Sequence, residues 1–360
     1  MNKTIKTICA VGSTLLLCAS FILTFIFSWI DGYVSTIMCV CGLFVGVVFA
    51  PIIHELGHII FAHKANMKTV YAKAFCLRYE AKDGKKKLTL ASPFEDDQTQ
   101  VLPKSSGNMQ QRAMQYTLGG LIFGGVGLCV LIVIAIIYLL FGNVNYFVLG
   151  IIPYMGYLEV LNLLPFEYAS GKTDLLVYLG MKNGADTERV MLSAMEIQGK
   201  LYEGNSFCEM DENLFFNLPQ LCEDEPLFAV ILDLRYRYYL EKADVEHAAD
   251  CLNRLVNAQA YLPQLEMTKL AAELVYMHAI TGDAELAQES SKFCEEYLRS
   301  DNAAAKRALA AYSAVTGDSE AVSILVNQAR KLLEQEEIAG LKKSEEILLQ
   351  RIENLHANIV

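Results

Sequence analysis

The sequence predicts an α-helical membrane protein: four transmembrane helices with a membrane-proximal β-hairpin, followed by an all-α cytoplasmic domain containing internal repeats. Three observations predict it. Uncharged apolar runs occur only in the first half of the 360-residue chain. Net charge changes sign at about the same place. From about Asp186 onward, apolar residues recur at three- and four-residue intervals, the period of an amphipathic helix.

The first two apolar runs are Ile8 to Ile30 and Gly32 to Ile53; the third is Leu118 to Phe141. A fourth, Gly142 to Leu158, meets Glu159 and then continues to Phe166. A helix crossing roughly 30 Å of hydrocarbon needs ~20 apolar residues, so each run is long enough to span. The spans are drawn at about 8–30, 33–62, 118–141 and 144–166, within a membrane domain of residues 1–184. Lys3 and Lys6 would also suit the start of a signal peptide. The apolar core is too long for one, however, and Leu17 precedes Cys18 where a lipoprotein site wants a small residue, so a retained helix is predicted.

Residues 1–184 carry 14 Lys+Arg against 10 Asp+Glu, whereas residues 185–360 carry 16 against 31. So acidic a second half repels nucleic acid and anionic lipid alike. Ten of the basic residues lie in 64–117, between the second and third spans, and none lies in the turn near Asn143. The positive-inside rule therefore predicts a multi-pass protein of the cell membrane with both termini in the cytoplasm. Cysteine spacing includes no CxxC, so Cys208, Cys222, Cys251 and Cys294 are expected as free thiols in a reducing compartment.

Between spans two and three, side chains alternate around Lys82-Asp83-Gly84-Lys85, and an Asp-Gly pair in that setting signals a two-residue hairpin turn. Residues 95–112, with Pro103, Ser105, Ser106 and Gly107, read as a loop. In residues 185–360, Thr281-Gly282-Asp283 recurs as Thr316-Gly317-Asp318, and Leu274, Ala279 and Glu285 recur as Leu309, Ala314 and Glu320. Ala243-Asp244-Val245-Glu246 reads as an earlier copy. The pattern resembles the tetratricopeptide class of helical repeats over about 230–335, with an irregular helical bundle as the alternative. Either form suits a domain that holds a cytoplasmic partner protein.

The second span contains His54-Glu55-Leu56-Gly57-His58, an HExxH pattern expected by chance only roughly 0.007 times in a chain with this His and Glu content. Positions i and i+4 share a helix face, so both imidazoles can reach one metal ion. The adjacent Glu55 carboxylate can act as general base toward water. Ionisable residues inside a membrane span are costly and usually mark function. His63 lies on the opposite side of the helix and is expected at the interface. A zinc site needs a third protein ligand, and span four ends on the same side as His54, with Asp174 following it after a polar loop.

With these residues in view, the sequence over roughly 35–180 resembles the site-2 protease family of intramembrane zinc metalloproteases. The resemblance rests on HELGH at 54–58, on Asn162-Leu163-Leu164-Pro165 followed by an acid, and on the glycines of Gly119-Gly120-Leu121-Ile122-Phe123-Gly124. It implies Zn2+ held by His54, His58 and Asp174, with Glu167 and then Glu159 as alternative third ligands. It implies Glu55 as the base that activates water and Asn162 as a substrate-binding residue. The implied activity is hydrolysis of a peptide bond in or near the transmembrane segment of a membrane-anchored protein or peptide. The sequence differs from the family in a longer spacing from Pro165 to Asp174 and in Leu175 where glycine is usual. A different class of function also fits: a non-catalytic membrane scaffold that binds partners through residues 185–360.

Overall fold

The computed structural model describes residues 3–82, 85–168, 171–260, 262 and 266–359. The chain divides into two compact units, Met1–Leu102 with Asn108–Glu188 and Pro103–Gly107 with Arg189–Val360. The first contains four helices long and apolar enough to cross a membrane: α1 (Lys3–Asp31), α2 (Tyr33–Lys64), α3 (Met109–Leu140) and α4 (Tyr146–Leu163). Their outer faces expose Leu15, Leu16, Phe27, Phe44, Val133 and Leu139.

Glycines set the spacing at the centre of this bundle. A Cβ on Gly42 would fall 2.0 Å from the Phe147 carbonyl oxygen and one on Gly150 2.2 Å from that of Cys39, so α2 and α4 touch backbone to backbone. Gly57 and Gly119 do the same between α2 and α3, where added Cβ atoms would lie 2.3 and 2.6 Å from the opposing carbonyl oxygens. Small residues permit such approach, and dispersion between the two backbones follows from it.

Between α2 and α3 lies a four-stranded sheet, β1 (Met67–Ala74), β2 (Leu77–Lys82), β3 (Lys85–Leu90) and β4 (Gln98–Pro103), in the order β3-β2-β1-β4. The predicted hairpin is the antiparallel pair β2 and β3, with Lys82 opposite Lys85; Asp83 and Gly84 lie outside the described residues. The reading of 95–112 as a loop is corrected: β4 occupies 98–103 and α3 begins at Met109. The segment Gln-Thr-Gln-Val-Leu-Pro has little apolar alternation, and it becomes a strand because it hydrogen-bonds the free edge of β1. The early start of α3 is tied to the end of α2 by Arg112, which donates to the carbonyls of Ala65 (2.7 Å) and Asn66 (2.9 Å). A cation at a helix C-terminus is favourable there.

At its far end α4 stops before Pro165, which has no N–H to continue the ladder. Two short strands follow, β5 (Glu167–Tyr168) and β6 (Gly171–Lys172), and then α5 (Asp174–Asn183). Thr173 closes the base of this hairpin. Its hydroxyl donates to the Leu164 carbonyl at 2.7 Å, and its backbone N–H donates to the Phe166 carbonyl at 2.9 Å. The longer spacing between Pro165 and Asp174 is thus a hairpin that leaves and returns, which delivers Asp174 beside the end of α4.

Helices α6 (Asp186–Tyr202), α7 (Asn213–Phe216), α8 (Pro226–Glu241), α9 (Val245–Ala258), α10 (Met267–Ile280), α11 (Ala284–Ser291), α12 (Glu295–Arg299), α13 (Ala303–Thr316), α14 (Ser319–Leu333) and α15 (Ala339–Ile359) complete the chain. Phe207, Phe215, Leu232, Tyr236, Val275, Tyr276, Ala310 and Leu349 are fully or almost fully buried in the core of the second unit. The recurrent tripeptides are the turns between its helices. Gly282 and Gly317 both take φ +82°, and Asp283 and Asp318 then cap α11 and α14 by accepting from Leu286 and Ala321 N–H. Asp244 caps α9 in the same way, with Ala243 at φ +60° in the place of glycine. One residue in the left-handed region followed by an Asp N-cap therefore makes three of these helix connections.

Candidate metal centre

His54 and His58 project from the same face of α2, with ring centroids 5.0 Å apart. Asp174, the first residue of α5, meets them from the other side. Its Oδ2 lies 3.0 Å from His54 Nε2 and 3.2 Å from His58 Nε2. Among the described residues these three form the group of side chains whose ligand atoms converge closely enough to hold a metal ion.

The far nitrogen of each ring is engaged elsewhere. His58 Nδ1 faces the Tyr116 carbonyl at 3.1 Å, and His54 Nδ1 faces Glu159 Oε1 at 3.5 Å. Both partners are acceptors, which assigns the ring proton to Nδ1 and leaves a lone pair on each Nε2. Lone pairs from three side chains then converge on one point. The buried Asp174 Oδ2 forms no well-aligned hydrogen bond despite its two close neighbours. Burial pushes the Asp174 carboxyl up, but the two imidazoles outweigh that and hold it at about 2. Such an arrangement is stable only with a cation between the groups: a metal ion, or in its absence a proton on an imidazole.

Space at this point is reserved by Gly120. A Cβ there would lie 2.5 Å from His58 Nε2 and 2.6 Å from His54 Nε2, so the site exists only if position 120 has no side chain. The close contact of Gly57 with Gly119 brings Gly120 to that position. Gly124, one turn on, similarly makes room for Glu159, whose Oε1 would be 1.6 Å from an added Cβ.

Glu55 is buried beside the histidines but outside the converging group. Its Oε2 accepts from the Thr99 hydroxyl at 2.6 Å. Thr99 is in β4, and its carbonyl accepts from the Tyr116 hydroxyl. Tyr116 thereby holds both His58, through its own carbonyl, and the strand that orients Glu55. The loop before β4 is fixed by the buried Lys73, which bonds Asp97 Oδ1 at 2.9 Å.

Glu55, His54, His58 and Asp174 all line a cavity of about 460 Å³, joined by Thr99, Tyr116, Asn162, Tyr168 and Lys172. That size falls within the range of small-molecule and peptide clefts. Asn162 is half-buried and donates its amide to the Leu158 carbonyl at 3.2 Å. The Tyr168 hydroxyl is buried and has no hydrogen-bond partner among the described residues. Glu167, the alternative third ligand, is exposed on β5 and takes no part in the converging group; His63 is exposed as well. Thr99, Tyr116 and Tyr168 were not anticipated from sequence, and none carries a local signal. Glu159 did carry one, as the only acid within span four.

No family model, curated protein or solved structure matches this chain.

Proposed function

We propose that this protein is an intramembrane zinc metalloprotease of the site-2 protease type, hydrolysing a peptide bond in or near the transmembrane segment of a membrane-anchored substrate. The observation that carries the proposal is the convergence of His54, His58 and Asp174 beside a carboxylate, Glu55, that stays outside the group. Adjacent ligand atoms on a zinc tetrahedron with bonds of ~2.0–2.1 Å lie about 3.3 Å apart, close to the spacings of Asp174 Oδ2 from the two nitrogens. Two imidazoles and a carboxylate suit zinc and leave a position for water. When bound, zinc would supply a Lewis acid that polarises the scissile carbonyl and brings water into reach of a carboxylate base.

The residues of the chain divide the remaining work. Thr99 occupies one oxygen of Glu55 and leaves the other free to take a proton from water and return it to the departing amine. Asn162 and Tyr168 line the same cavity, and the second N–H of the Asn162 amide would serve as a donor to a substrate carbonyl. A helical amide is shielded by its own hydrogen bonds, so the substrate must unwind locally. β4, at the edge of the sheet and lining the cavity, offers a strand for the extended chain to pair with.

Insertion of the four apolar helices with both termini cytoplasmic belongs to the same proposal, supported by the basic segment 64–117. A cysteine introduced beside Asn143 should react with reagent added outside the cell; labelling only from inside would reverse the orientation. The helical unit, read as tetratricopeptide-like, would recruit a cytoplasmic partner or the substrate itself. A non-catalytic scaffold is the second reading, and the buried Glu55, already held by Thr99, favours the enzyme because a structural metal has no use for a base. Comparative membrane proteomics of wild-type and Glu55→Gln cells tests the proposal. Membrane-anchored proteins that accumulate uncleaved in the variant support it, and identical profiles refute it.

A further inference from the structure

We infer that Glu159 is a positioning residue for the metal: it holds the His54 ring so that Nε2 faces Asp174, and Gly124 exists to let it do so. This deepens the proposed metalloprotease reading and rests on it. Glu159 is an acid in an otherwise uncharged apolar helix, only 4% exposed, and a residue of that kind needs a partner. Among the described residues its polar partner is the His54 ring. Its Oε1 lies 3.5 Å from Nδ1, on the side of the ring away from the converging atoms, so Glu159 does not join Asp174 as a ligand.

The two histidines are held differently. His58 is fixed by a backbone carbonyl, which no substitution can remove, whereas His54 depends on a side chain reaching across from α4. That side chain fits only because α3 presents no Cβ at position 124. The three helices of the bundle core thus meet at one contact: His54 from α2, Gly124 from α3 and Glu159 from α4. An acceptor at Nδ1 selects the tautomer with its lone pair on Nε2, and loss of such an outer partner typically costs ~10–100-fold in metal affinity.

The test uses purified full-length protein as wild type, Glu159→Leu, Glu159→Gln and Gly124→Ala. Zinc affinity is measured against a chromophoric chelator, Co2+ absorption reports the ligand set, and 15N spectra of the metal-free protein, at a pH high enough that both imidazoles are neutral, report the His54 tautomer. Glu159→Leu should bind zinc ~10–100-fold more weakly with an unchanged Co2+ spectrum, and should lose the Nδ1–H tautomer. Glu159→Gln, whose amide oxygen still accepts, should stay within a few-fold of wild type. Gly124→Ala should resemble Glu159→Leu, because the added methyl displaces the carboxyl without removing it. Wild-type affinity and tautomer in Glu159→Leu would overturn the inference, as would a Co2+ spectrum showing that a ligand had been lost. A wild-type protein that bound no metal would refute the proposed function, while the tautomer comparison would still decide what Glu159 does to His54.

Discussion

Replacing Gly120 by Ala should remove the metal while leaving the helix that carries it intact. The added Cβ would lie 2.5 and 2.6 Å from the two Nε2 atoms, where ordinary contact begins at 3.4 Å. Each ring must then retreat by about 0.8–0.9 Å, whereas metal sites tolerate deviations of only ~0.2 Å. The rings have little freedom to do so, because Tyr116 and Glu159 hold their far nitrogens. The backbone does not suffer, since Ala is the better helix former by ~1 kcal/mol. Zinc affinity should fall at least ~100-fold, equivalent to about 2.7 kcal/mol. Zinc per chain by elemental analysis, with a circular dichroism melt of the metal-free protein, measures both sides. Gly125→Ala is the control: nothing lies within 4 Å of a Cβ there, and zinc should be retained. Wild-type zinc binding by Gly120→Ala would show that the metal, if any, is not held where these three side chains converge.

Thr99→Val removes the hydroxyl that orients Glu55 and should lower turnover about ten-fold or more with zinc content unchanged, a split read by metal analysis beside reconstituted cleavage. Ala243→Gly relieves a left-handed residue at φ +60°, where the two equivalent turns have glycine, and should raise stability by ~0.5–1 kcal/mol in denaturant melts. In the second unit, burial raises the Glu273 carboxyl, but Arg307 and Arg237, with the Tyr236 hydroxyl, outweigh it and hold it below the usual range. A carboxyl depressed on folding contributes stability that is complete above its unfolded pKa of ~4.3 and is lost as pH falls through the folded value. The melting difference between wild type and Glu273→Gln should therefore be constant from pH 7 to 5 and narrow below about pH 4; a gap that persisted unchanged into acid would refute that coupling.

What could be seen in the sequence was whatever is written in local spacing. HExxH puts two imidazoles on one helix face whatever the tertiary fold, and apolar run length marks the four long helices. The Gly-Asp turns were visible because a left-handed residue followed by a cap is a local device. β4 was not visible, since its strand conformation comes from pairing with β1 and not from its own pattern. Thr99 and Tyr116 were missed for the same reason: each acts on a residue 44 or more positions away in sequence. Glu159 was noticed as an anomaly in an apolar run, but sequence could not say whether it would face the metal or the back of His54. Only the absence of side chains at Gly120 and Gly124 decides that, and sequence alone did not reveal what those two glycines make room for.

The most direct measurement is zinc content and peptide-bond cleavage in the same purified, reconstituted preparations of wild type, Glu55→Gln and Asp174→Ala. Glu55→Gln keeps the shape of the side chain and removes the base, so zinc should remain at one per chain while cleavage falls by ~10²–10⁴-fold. Asp174→Ala removes one of the three converging atoms and should lower zinc and cleavage together. Undiminished cleavage by Glu55→Gln, or full zinc in Asp174→Ala with its loss in Glu167→Ala, would contradict the account.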